Sequence, residues 1–197
     1  MVQAWTAQSA VETGRRIQRL RQERGLSLSE LARCAGIGKA TLSGLESGTR
    51  NPTLETLYAI TGQLGVPLAS LLTAEGETAG SGRAVAAIRE VRGAAVTARL
   101  LEVFDDEAAT TELYWLTIEP GRVQHSPAHP PGVVEHLTVV AGVARVGPQD
   151  AEVLVPVGEH VSWHADVPHT YAAATDEVVQ ASLLIRQPRA ALHGKRG

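Results

Sequence analysis

With 197 residues, 44% hydrophobic and 20% charged, the chain is long enough for two small cores or one large one and should fold. A single cysteine, Cys34, excludes an internal disulfide and any cysteine-rich zinc site. The N-terminus lacks a signal-peptide core and no apolar run approaches the roughly 18 residues of a membrane span, so a soluble cytoplasmic protein with no membrane partner is expected. The net charge of −3 divides unevenly: residues 1–75 carry eight Lys/Arg against six Asp/Glu, and residues 76–197 carry ten against fifteen. A mildly basic front half could sit on phosphates, and an acidic back half would not.

From the front, apolar residues recur at helical spacing in Leu28/Leu31/Ala32/Ala35, in Leu42/Leu45 and in Leu54/Leu57/Ile60/Leu64. Ser27 with Glu30 spells a capping box, Gly36 falls just past the end of that helix, and Gly38 precedes the next. Thr53, after Pro52, can cap a fourth helix, and Pro67 suits the first turn of a fifth that ends at Leu71/Leu72. Five short helices are expected over 12–72. The stretch TAEGETAGSGRA, residues 73–84, has three glycines and no period that could bury a face, which marks a linker.

Beyond it the pattern shortens to β-rich runs punctuated by Gly and Pro: VTARLLEVF, TELYWLTIEPG, EHLTVVAGVARVG, AEVLVPVGEHVSW and EVVQASLLI. These predict an all-β domain over 85–188, with 1–11 and 189–197 as flexible tails. Six of the seven histidines lie between His125 and His169. In VEHLTVV a two-residue period sets Glu135 with Leu137 and Val139 and turns His136 to the opposite face. A carboxylate among apolar neighbours needs a partner, whether a metal, an arginine or a ligand donor. His169 shares its face with Val167 and Tyr171 and is expected to point inward as well.

RIQRLRQERGLSLSELA, AGIGKATLSGLESG and NPTLETLYAI together resemble the lambda-repressor-like helix-turn-helix fold of the XRE regulators. The resemblance implies that the helix from Lys39 to Glu46 enters the major groove of double-stranded DNA. Lys39, Ala40, Thr41 and Ser43 would then face bases, with Ser27, Ser47, Thr49 and Arg50 on phosphates. Residues 95–186 resemble the cupin family, a double-stranded β-helix or jelly-roll barrel, through Pro120-Gly121, Glu135 with Gly142, and VPVGEHVSWHADVPH ending on His169. Metal-binding cupins usually bring two histidines and a glutamate from the first motif and one histidine from the second. Here Pro131 stands at an expected ligand position and Ala173 replaces a frequent asparagine. If the proline-rich loop swings His129, or even His125, inward, His129, Glu135 and His169 would hold one divalent ion such as Zn, Fe, Ni or Mn.

The whole order is similar to the XRE-cupin regulators. HPPGVVEHLTVVAG and ADVPHTY are closest to the subgroup of the sulfur-utilisation regulator, whose shared Glu-His pair adds His136 to the candidate effector pocket. What this implies is a non-enzymatic transcriptional regulator, a homodimer through its cupin, on a palindromic operator, tuned by a small molecule or metal. The alternative is an iron-dependent enzyme similar to the hydroxypropylphosphonate epoxidases, which share the domain order.

Overall fold

The computed structural model describes residues 7–72 and 90–189, so the linker expected at 73–84 lies outside the described residues. Five helices come first: α1 (Ala7–Glu23), α2 (Leu28–Cys34), α3 (Lys39–Glu46), α4 (Leu54–Leu64) and α5 (Ala69–Leu72). α1 starts at Ala7, so residues 7–11, expected as tail, are helical, and Ala10 is buried. At α2, Ser27 Oγ accepts from Glu30 N at 3.2 Å while Glu30 Oε2 accepts from Ser27 N at 2.8 Å, the capping box in full. Thr53 caps α4 through Thr56 N at 3.3 Å, and Gly65 ends it in the left-handed region at φ 62°. Ile17, Leu31, Leu42, Leu45, Leu57, Ile60 and Leu64 close the helical core. Arg21 clamps α1 to α3 with a forked pair to Glu46, 2.7 and 2.8 Å, and donates to Leu26 O at 2.8 Å.

Ten strands follow: β1 (Glu90–Arg92), β2 (Val96–Asp105), β3 (Ala109–Ile118), β4 (Val123–Ser126), β5 (Val134–Ala141), β6 (Ala144–Pro148), β7 (Val153–Val155), β8 (His160–His164), β9 (His169–Ala173) and β10 (Val179–Pro188). They pair antiparallel in a six-stranded sheet, β1-β2-β3-β10-β5-β8, and a four-stranded sheet, β4-β9-β6-β7. The inner faces meet through Tyr114, Leu116 and Ile118 of β3, Leu137 and Val139 of β5, Leu183 and Ile185 of β10, and Val146 and Tyr171 of the smaller sheet. This is the two-sheet cupin arrangement. The Gly punctuation within two of the expected β-rich runs falls between strands: Gly142 (φ 74°) separates β5 from β6 and Gly158 (φ 84°) lies between β7 and β8.

Helices and sheets share one buried cluster and are bonded to each other. Glu55 of α4 accepts from Gln124 Nε2 at 2.6 Å and from Ala94 N at 2.9 Å, and Glu112 of β3 accepts from Ala69 N. Gly93 makes the first of these contacts fit. A Cβ there would stand 2.2 Å from Gln124 Oε1 and 2.7 Å from Glu55 Oε1.

Candidate functional site

The α2–turn–α3 unit presents its polar residues outward. Lys39, Ala40 and Ser43 are exposed and Thr41 is half-buried on α3, with Leu42 and Leu45 turned into the core. Gly38 caps α3 without a side-chain bond, which leaves the first-turn N–H groups of this helix toward whatever it meets. Neither Lys39 nor Arg50 has an acidic partner among the described residues.

The turn after α3 is built around one carbonyl. Gly44 O accepts from Thr49 N (2.9 Å), Arg50 N (3.1 Å), Thr49 Oγ1 (3.1 Å) and Ser47 Oγ (3.2 Å), and the two hydroxyls stand 3.0 Å apart. Ser47 and Thr49, expected to offer hydroxyls to phosphate, thus have their protons engaged within the turn. Arg50 remains available, and its stem crosses Gly44, where a Cβ would fall 2.9 Å from Arg50 Cδ. Ser27 is exposed, but its N–H is taken by Glu30, whose carboxyl is held below its ordinary range by Ser27. A negative charge therefore sits where a phosphate would approach the backbone, and only the Ser27 hydroxyl proton is left for one.

The pocket assembles from β5, β9 and the loop before β5. Glu135 is fully buried on the inner face of β5, opposite Trp163 of β8. His129 Nε2 stands 2.9 Å from Glu135 Oε1, His169 Nε2 stands 3.4 Å from the same oxygen, and Tyr171 donates its hydroxyl to Oε2. The proline-rich loop does turn His129 inward, tied by His129 N to Ala165 O at 2.8 Å. Burial alone would push the Glu135 carboxyl up, yet the charge on His169 and the bond from His129 bring it well below the usual carboxylate range. Burial would lower His169, and Glu135 more than reverses that, holding its imidazole above the ordinary value.

His169 Nδ1 donates to Val167 O at 2.9 Å, which aims Nε2 into the pocket, where it is buried without a hydrogen-bond partner of good geometry. A buried imidazole nitrogen that makes no hydrogen bond, 3.4 Å from an ionised carboxylate, is a donor pair that a cation could take in place of the imidazole proton. His129, Glu135 and His169 place their ligand atoms within 4.8 Å of one another, so the residues fit a divalent ion of the zinc, iron, nickel or manganese kind.

Strand parity corrects one expectation. His136 lies on the outer face of β5, stacked on His160 at 5.5 Å with Nδ1 and Nε2 3.4 Å apart, and does not line the pocket. His125 is exposed on β4 and stays outside as well. Tyr171, Trp163 and Tyr58 complete the surroundings of the cluster and were not singled out from sequence. Tyr171 and Trp163 share strand faces with His169 and Glu135, a signal within reach of parity. Tyr58 comes from α4, and nothing in the sequence joins it to position 129.

A five-helix reader followed by a two-sheet barrel with a buried polar pocket defines a class: helix-turn-helix regulators with a cupin-like second domain. Residues 17–71 match the family HTH_3, helix-turn-helix. The chain is 29% identical to the HTH-type transcriptional regulator SutR of Escherichia coli (strain K12), over 88% of this chain and 93% of that one. It is 43% identical to the uncharacterized HTH-type transcriptional regulator y4dJ of Sinorhizobium fredii, over 33% of this chain and 84% of that one. A crystal structure of an HTH_3 family transcriptional regulator from Vibrio cholerae superposes with a TM-score of 0.76 at 25% identity, covering 93% of this chain and 99% of that one. The chain belongs to the XRE-type helix-turn-helix family of transcriptional regulators.

Proposed function

We propose that this regulator reads a palindromic operator as a homodimer and that its β domain takes a divalent metal or small-molecule effector at His129, Glu135 and His169. In the DNA complex α3 lies in the major groove, where Lys39 donates to guanine acceptors, Thr41 and Ser43 bond base edges or phosphate, and Ala40 packs on a thymine methyl. Arg50 carries its charge to the backbone and fixes register. One eight-residue helix spans too few base pairs to be selective, so two copies paired through the β domain double the site.

The observation that carries the effector half is the buried His169 Nε2 facing ionised Glu135 with no hydrogen-bond partner. A bound ion would supply positive charge beside Glu135 in place of the charge on His169. His129, Glu135 and His169 hold it, while Tyr171 steadies the second carboxylate oxygen. Such an effector changes operator affinity only by favouring one of two states of the protein. The chain works in the cytoplasm, where DNA is reached directly.

Two measurements test this. Metal content of the purified chain should be lost in both Glu135→Ala and His169→Ala, and unchanged content in both variants removes the metal reading. Affinity for a selected duplex should then differ between the metal-loaded and chelated chain, and equal affinity removes the effector role. A second reading, an iron-dependent cupin enzyme, is favoured by one observation: His129 reaches Glu135 despite Pro131 and completes a two-histidine, one-carboxylate set. Oxygen uptake by the iron-loaded chain with hydroxypropylphosphonate decides it, and no uptake retires it.

A further inference from the structure

The pocket has a wall that belongs to the DNA-binding half. Tyr58, on α4, is 9% exposed and meets the His129 ring edge to face, with centroids 4.8 Å apart and planes at 84°. Around it, the Glu55 bonds to Gln124 and Ala94 and the Ala69 bond to Glu112 hold the helices on the β domain. A cleft of about 320 Å³ runs between the halves, from Cys34 at the end of α2 and Gly36 in the turn leading toward α3, past Tyr58 and Gln63, to His129. The loop that carries His129 therefore faces the turn that leads into the recognition helix.

The three donors of the pocket are not equally fixed. Glu135 stands on β5, paired on both sides with β8 and β10, and His169 on β9, paired with β4 and β6. His129 stands on a loop. Donors that share a tetrahedral ion at about 2.0–2.1 Å stand roughly 3.3 Å apart. His169 Nε2, 3.4 Å from Glu135 Oε1, already has that spacing, whereas His129 Nε2, at 2.9 Å, does not. An ion shared by the three donors would spread His129 from Glu135, and Tyr58 is packed against the His129 ring.

We propose that the helix-turn-helix domain is itself the lid of this pocket: Tyr58 closes it over His129, so that filling the pocket and loosening α4 from the β domain are one coupled event. The proposal rests on the reading that His129, Glu135 and His169 take a divalent ion. Docking of α4 supplies the two-state element that both sites bias, without transmission through the linker. By reciprocity, a weakened dock tightens ion binding by the same factor that the ion loosens the dock.

The test uses the full chain and Zn²⁺ as the probe. Hydrogen exchange of α4 is followed with and without Zn²⁺, and Zn²⁺ affinity is measured against a chromophoric chelator, in wild type, Tyr58→Ala, Glu55→Ala and Glu135→Gln. Zn²⁺ should speed α4 exchange in wild type by about fivefold or more, and should leave α4 exchange in Glu135→Gln unchanged. Tyr58→Ala and Glu55→Ala should exchange fast without Zn²⁺ and bind it more tightly by a similar factor. Glu55 lies outside the pocket and the buried core, so its variant carries the test if Tyr58→Ala fails to fold. Equal Zn²⁺ affinity in wild type and both lid variants, with α4 exchange indifferent to the ion, overturns the lid and leaves the ion site standing. Zn²⁺ taken by none of the four chains overturns the ion site and the lid with it.

Discussion

Glu135 keeps a charge inside an apolar barrel because His129, His169 and Tyr171 all face it. Removing the charge while keeping the shape, as in Glu135→Gln, leaves the His169 imidazole without its counter-ion. The expected result is loss of bound metal and, comparing metal-free chains, a fall of His169 toward its ordinary pKa, since burial is then opposed only by the bond to the Val167 carbonyl. NMR titration of the imidazole reads this directly, and an unmoved His169 would show that Glu135 is not its partner. On the DNA side, Lys39→Ala should cost about 1–3 kcal/mol and relax preference at one base position. Arg50→Ala should weaken all duplexes alike and reduce the slope of affinity against salt by about one. If Lys39→Ala instead weakens every sequence equally, Lys39 is a phosphate contact.

At the scale of elements, the helical unit depends on the clamp between α1 and α3. Glu46→Ala leaves the Arg21 guanidinium, 11% exposed, with the Leu26 carbonyl as its one remaining acceptor among the described residues. A loss of about 2–3 kcal/mol in urea unfolding is expected, and a loss near zero would make the pair decorative. Much at this scale was legible in the sequence because the signals are local. Ser27 with Glu30, Thr53 after Pro52 and the period of Leu54 to Leu64 each fix a helix end or face within one or two turns. Parity alone separated Glu135 from His136, and the structure sided with parity against the resemblance that had drawn His136 into the pocket. The three-residue β1 was not legible, since a strand that short is defined by its partner β2 and not by its own residues. His129 could be named but not placed, because a proline-rich loop has no period.

Across the whole molecule the illegible part is the contact between the halves. Tyr58 on His129, Glu55 on Gln124 and Glu112 on Ala69 join residues far apart in sequence, with no pattern to announce them. Glu112 also gives that contact a pH dependence. Its carboxyl is fully buried beside Ala69 N, and burial pushes it up to about 7 from an ordinary 4.5. Below about pH 4.5 folded and unfolded chains both hold the proton. As pH rises toward 7 the unfolded chain releases it first, so stability falls across this window and levels off above it, by about 3 kcal/mol in all. Glu112→Gln keeps an acceptor for Ala69 and should flatten that decline in thermal unfolding between pH 5 and 8. A decline that survives the substitution would assign it to another group.

Sequence-specific DNA binding is tested most directly by selection of bound duplexes from a random pool at near-physiological salt, which needs no prior operator. It predicts enrichment of a palindromic motif, with half-sites one helical turn apart and a preference at one position lost in Lys39→Ala. Binding without enrichment, vanishing as salt rises and unchanged by chelation or added Zn²⁺, would contradict it.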